Sequence, residues 1–146
     1  MKKLIALALL IGVVAYAATV PAAGKGTLTV IVENFRNSDG KVSVVLYNSE
    51  EPFPKQADKA FMKTSEPIKD KKAKVVFKDV PYGEYAFVVL HDENENKKMD
   101  YSAIGLPEEG YAFSNNATGM LGPPDYKDAK FELKGDSLEQ TIKLNY

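Results

Sequence analysis

Cysteine and tryptophan are missing from the 146 residues, and histidine and arginine occur once each, as His91 and Arg36. Without cysteine there are no disulfides, no lipid anchor on a cleavage-site thiol and no Cys–His nucleophile. A single histidine leaves one general base for any Ser–His–Asp arrangement. The serines that could join it, such as Ser102 and Ser114, are not set in the strand–Ser–helix turn that exposes a nucleophile. With one arginine and no basic run, the chain lacks the electrostatic footprint of a nucleic-acid binder. Beyond the first residues no long apolar segment occurs, so no membrane insertion is expected of the rest. No amphipathic helix of useful length is present either.

The apolar run that does exist lies at the start. "MKKLIALALLIGVVAYAA" places Lys2 and Lys3 before Leu4 to Val14, and Ala15-Tyr16-Ala17 gives a small-x-small cleavage pattern. That is the three-part layout of a secretory signal peptide over residues 1–17. The run falls short of the roughly 20 apolar residues that cross a bilayer. Export to the periplasm or the extracellular space is therefore expected. The remaining 129 residues have the length of one domain and carry a formal charge of −3, against −1 for the whole chain. Residues 18–26, "ATVPAAGKG", read as a linker and 27–146 as the domain.

From there the hydrophobic period is two. Leu28, Val30 and Val32 share one face of "TLTVIVENF", and Val42, Val44 and Leu46 one face of "KVSVVLYN". With "RNSDG" between them, residues 27–48 read as a hairpin. Residues 49–72 break the alternation and read as a solvated connection, with one or two helical turns in "KQADKAFMK". "AKVVFKDV" and "EYAFVVLH" are strands on either side of a "PYG" turn. The second is apolar on both faces and is expected to be central. Residues 101–127 are rich in Gly, Pro and Asn, and "AKFELKG" and "LEQTIKLNY" close the chain, with Leu138, Ile142 and Leu144 inward. About seven short strands without long helices predict an all-β fold, an antiparallel β-sandwich of immunoglobulin-like type. A jelly-roll-like sandwich is the alternative.

"KDVPYGEYAFVVLHDENENKKMD" resembles the Pro-x-Gly-x-Tyr turn and strand of transthyretin-like and carboxypeptidase-regulatory-like modules. Together with "GLPEEGYAFSNNA" it is more similar to the exported bacterial family known as domain of unknown function 2141, over about residues 27–145. The resemblance implies a sandwich and export, and no activity. Members often carry glycine inside the Asp-x-Asn loop, where this chain has Glu95 and Lys97. The hydrolase of the transthyretin-like group uses several histidines and a C-terminal signature that this chain lacks.

Two stretches are candidates for binding. In "DENENKKMD", oxygen-bearing side chains recur at every second position. Asp92, Asn94, Asn96, the Lys98 carbonyl and Asp100 fall at positions 1, 3, 5, 7 and 9 of a calcium loop. Against a full EF-hand, position 6 is Lys97 rather than Gly and position 12 is Ala103. Glu108 and Glu109 are the carboxylates available to complete the shell. The other reading is an Asx-rich turn whose side chains bond their own backbone, with Lys97 and Lys98 balancing the acids. In "GLPEEGYAFSNNATG", Tyr111, Phe113, Asn115 and Asn116 form the aromatic-plus-amide surface that sugars and peptides use. Alternatively, the aromatics plug the sandwich and the amides bond the turn. His91, closing a buried strand, reads as a hydrogen-bonded packing residue. The sequence points to an exported non-catalytic binding module for a glycan, peptide or envelope protein, with calcium as the one candidate cofactor. A structural envelope protein without a ligand and an extracytoplasmic hydrolase are the rivals.

Overall fold

A computed structural model describes residues 23–146. The signal peptide, its cleavage position and the first part of the expected linker lie outside the described residues. Alternation in sequence becomes layering in space. Along β1 (Lys25–Glu33) and β2 (Lys41–Tyr47) every second side chain is fully buried. The remaining strands are β3 (Met62–Pro67), β4 (Ala73–Pro81), β5 (Gly83–Asp92), β6 (Tyr111–Phe113), β7 (Phe131–Leu133) and β8 (Ser137–Lys143). One sheet has the order β4-β1-β8, and the other β3-β2-β5-β6 with β7 also paired to β5. Leu28, Val30, Val75, Phe77 and Ile142 from the first sheet meet Val42, Val44, Phe87 and Val89 from the second in one core. Each such burial contributes roughly 1.5–3 kcal/mol relative to exposure. The all-β sandwich stands, with short helical turns only at Ala57–Lys59, Ser114–Asn116 and Tyr126–Ala129 among the described residues.

Three local expectations are corrected. Residues 27–48 are not a hairpin, because β1 and β2 belong to different sheets. Their connection carries Phe35, which is 4% exposed and sits edge-on to His91 at 4.9 Å. An apolar anchor in the connection pulls it across the core, where a hairpin turn would face water. Residues 49–72 are not wholly irregular, because Met62–Pro67 pairs with β2. As an edge strand β3 has no fully buried residue, so its period leaves no apolar trace. In addition, β8 runs parallel to β1 while the other strand pairs are antiparallel. An apolar stripe encodes a face and not a direction.

The central position of β5 is as expected. It pairs β2 on one side and β6 and β7 on the other. Its outer face joins a second apolar cluster of Tyr47, Phe53, Ala86, Phe113, Tyr126 and Ala129. Phe53 sits at its centre, edge-on to Tyr47 at 5.6 Å and to Tyr126 at 5.7 Å. Phe53, set between Pro52 and Pro54, thus supplies a core aromatic from the β2–β3 connection.

Candidate functional site

At the end of β5 the chain leaves the sheet through two buried polar residues, His91 and Asp92, which are 0% and 2% exposed. His91 packs as expected. Its Nε2–H donates to the Asp39 carbonyl at 2.8 Å, which fixes the tautomer, and Nδ1 accepts from the Tyr146 hydroxyl at 2.7 Å. With both ring nitrogens occupied, it has no proton position to offer a substrate.

Asp92 organises the loop that follows. Its Oδ1 accepts the Asn96 N–H at 3.1 Å and its Oδ2 the Lys97 N–H at 2.8 Å. Asn94 Oδ1 accepts the Asn96 N–H at 3.2 Å and Asn96 Oδ1 the Lys98 N–H at 3.1 Å, two successive Asx turns. The amide nitrogens of Asn94 and Asn96 then donate to the Asp100 carboxylate, at 2.6 Å and at 2.8 and 3.0 Å. The side chains at 92, 94, 96 and 100 thereby belong to one linked polar cluster, while the Lys98 side chain is exposed. Glu95 and Lys97 take φ of 57° and 65°, the left-handed conformation glycine favours, at the two positions where the resemblance implied glycine. Lys97→Gly removes a left-handed penalty of about 1–2 kcal/mol and adds about 0.5–1 kcal/mol of unfolded-state entropy. The expected result is a net gain of up to about 1 kcal/mol, read as a higher urea midpoint at unchanged slope.

Glu109, which is 4% exposed, returns to this loop while its neighbour Glu108 faces solvent. Its Oε1 accepts the Glu93 N–H at 2.9 Å and its Oε2 the Asp100 N–H at 3.3 Å. Burial, offset by those backbone bonds and reinforced by the Asp100 and Asp92 charges, holds its carboxyl above the ordinary range. Among the described residues no lysine or arginine pairs with Asp92, Asp100 or Glu109, and neither Lys97 nor Lys98 forms an ion pair. The expectation that those lysines balance the acids is corrected: Asp92 and Asp100 of the loop and Glu109 beside it have no ion-pair partner among the described residues. The nearby cation is Arg36, which pairs with Glu93 and lines the same cleft as Asp100 and Glu109. No three carboxylate or imidazole groups among the described residues stand at coordinating distance as the loop lies here.

Beside the loop, Arg36 donates from Nε and Nη2 to the two Glu93 oxygens, both at 2.6 Å, and stacks over the Tyr146 ring at 4.8 Å. This ties the β1–β2 connection to the loop and walls a polar cleft of about 320 Å³, bounded also by Asp39, Asn94 and Asp100. The Arg36 bond, more than burial opposes it, holds the Glu93 carboxyl below its ordinary 4.5. A depressed carboxyl stabilises the fold above its unfolded value, and that contribution is lost as pH falls through the folded value. Glu93→Gln is therefore expected to flatten the loss of stability below about pH 4.5, checked by melting unmutated and variant proteins from pH 6 down to pH 3.

The second stretch is divided by the structure. Asn115 Nδ2 donates to the Ala129 and Lys130 carbonyls at 3.1 and 2.9 Å. Asn116 Nδ2 donates to the Thr141 carbonyl at 3.0 Å and its Oδ1 accepts the Lys143 N–H at 2.9 Å, so its amide pairs with the β8 edge as a neighbouring strand would. Both amides serve the fold. Phe113 is 7% exposed in the second cluster, and Tyr111, half-buried, meets it edge-on at 6.1 Å. These two aromatics line a recess of about 190 Å³ with Thr118 and Asn145.

A family model described as an uncharacterized protein conserved in bacteria, DUF2141, matches residues 30–141. The chain belongs to that family. The matched span runs from within β1 to within β8, so it takes in β2 to β7 and the loops between residues 92 and 127. No curated protein and no solved structure matches the chain. The resemblance carried by the two quoted motifs was to this DUF2141 family. Sequence reasoning missed Arg36 and Asn145. It named Glu109 only as one of two available acids.

Proposed function

We propose that this DUF2141 protein is an exported, non-catalytic binding module of the bacterial envelope, with its ligand surface on the loops between residues 92 and 127 and a weak calcium site in the 92–100 loop. The observation that carries the reading is the carboxylate cluster at the end of β5. Asp92, Asp100 and the buried Glu109 lie close enough for their charges to act on one another, and none has an ion-pair partner among the described residues, Arg36 being engaged by Glu93. Such a cluster gains from a divalent cation, which replaces mutual repulsion with attraction. Rotation of the Asn94 and Asn96 amides about their terminal bonds turns oxygen where nitrogen now faces Asp100. Together with Asp92, the Lys98 carbonyl and Asp100, these supply the oxygen ligands a calcium ion takes. The packing of His91 supports the non-catalytic half of the reading.

Long irregular segments held in a defined shape are the usual carriers of binding. Here dedicated side chains, Glu109, Asn115 and Asn116, hold them. Calorimetric titration of the purified protein with calcium tests the cation, and the absence of heat removes it. Recovery of the protein from the cytoplasm of fractionated cells would remove export.

A further inference from the structure

We infer that the recess lined by Tyr111 and Phe113 is a subsite for one neutral sugar ring, taken face-on against Tyr111. The inference rests on the reading of these loops as a binding surface and is independent of the cation. The recess has about 190 Å³ and no charged residue in its lining. Pockets for drug-sized ligands run to roughly 300–1,000 Å³, so this one has room for a single ring. An uncharged lining selects against carboxylates, phosphates and amines, which would lose hydration there with no counter-charge.

The chemistry of the wall is two-sided. Tyr111 and Phe113 give an aromatic floor, with Tyr111 half-open to solvent. Thr118 and Asn145, both exposed to solvent, complete the lining with a hydroxyl and an amide. The Asn145 backbone is pinned, because it exchanges both of its bonds with Tyr111, at 3.0 and 2.9 Å, so its side chain is held beside that ring. A pyranose matches both sides: its axial C–H face lies on an aromatic ring, and its equatorial hydroxyls reach for an amide and a hydroxyl. An apolar peptide side chain would match the floor but gain no hydrogen bond from Thr118 or Asn145, which a sugar hydroxyl does. The mouth is kept narrow by Gly119, where a Cβ would collide with the Gly122 and Pro123 carbonyls. Between the lining residues Gly119 and Gly122 in sequence, Met120 and Leu121 are 97% and 99% exposed.

The test is saturation-transfer NMR on the purified protein, using glucose, galactose, mannose and N-acetylglucosamine as probes, in calcium and again in EDTA. Transfer to ring C–H protons of at least one sugar is expected, with a dissociation constant on the order of 1 mM. Asn145→Ala and Thr118→Val keep the floor and the backbone pairing, and each is expected to weaken binding about tenfold, the loss of one hydrogen bond. Tyr111→Ala is expected to abolish it, with the melting curve checked for folding. No transfer from any of the four sugars at about 20 mM, well above that constant, overturns the inference. So does binding unaffected by Asn145→Ala and Thr118→Val. Sugar binding in EDTA as well as calcium separates this outcome from the cation: a module without calcium heat can still bind sugar, and one with calcium heat and no sugar signal loses only this subsite.

Discussion

Gly40→Ala is expected to lower stability by about 3 kcal/mol, the cost of two faults at one position. Gly40 has φ of +65°, and a Cβ built there collides with the Asp92 carbonyl and the Glu93 backbone. The left-handed conformation alone costs a non-glycine residue about 1–2 kcal/mol, and displacing packed backbone adds roughly 1–3 kcal/mol. Nothing soft is available to yield, because the atoms met are main chain at the root of the 92–100 loop. The connection between β1 and β2 presses on that loop here, so the same change is expected to loosen the Arg36–Glu93 contact. Gly105 is the control. It has φ of +80°, and a Cβ there would meet nothing within 4 Å. Gly105→Ala should carry the conformational cost alone, about 1–2 kcal/mol. Urea denaturation of both variants measures the difference. Equal costs would mean that the close approach at Gly40 does not exist.

That contact also marks the limit of what could be read along the chain. The strands were legible because each must bury one face, and Leu28, Val30 and Val32 or Val42, Val44 and Leu46 write that face as a period of two. Partnership was not legible, since the same stripe serves a hairpin or a crossing. Only Phe35, buried in what looked like a turn, distinguishes them. Edge strand β3 buries too little to write a period at all. Among the candidate site residues, the Asx turns of Asn94 and Asn96 are local and followed from spacing. Glu109 reaches back to Glu93 across 16 residues, and Arg36 reaches Glu93 across 57, so neither contact has a local signature. Contiguity likewise drew attention to Asn115 and Asn116, whose amides bond carbonyls. The amide that faces Tyr111 instead is Asn145, brought there by strand pairing. Positive φ at Glu95 and Lys97 was foreshadowed by the glycines that the resemblance implied, because backbone conformation persists where side chains change.

Calcium is expected to raise the melting temperature of the unmutated protein, and Asp92→Ala and Asp100→Ala to remove that rise by different routes. Two formal carboxylates in the loop place the affinity near the 10⁻⁴ to 10⁻³ M of extracellular modules, in order of magnitude. At about 10 mM calcium, mass action then adds roughly 1.4–2.7 kcal/mol to the folded state. For a domain of this size that is about 5–10 °C. In EDTA the two variants separate. Asp92 is 2% exposed and accepts the N–H groups of Asn96 and Lys97, so its loss strands the Lys97 N–H and leaves the Asn96 N–H to Asn94 Oδ1 alone. Hydrogen bonds to a charged acceptor contribute about 1.5–3 kcal/mol each, and relief of repulsion with Glu109 returns part of the sum. A net cost near 3 kcal/mol is expected before any calcium is added. Asp100 accepts only side-chain amides, and those can turn to water when it goes. Asp100→Ala should therefore melt within about 1 kcal/mol of the parent in EDTA while losing the calcium response. A loop that is only an Asx turn gives a different pattern: Asp92→Ala still destabilises, and calcium moves no melting curve. Identical melting of the unmutated protein in EDTA and in calcium, with no heat on titration, would leave the turn as the whole purpose of these residues.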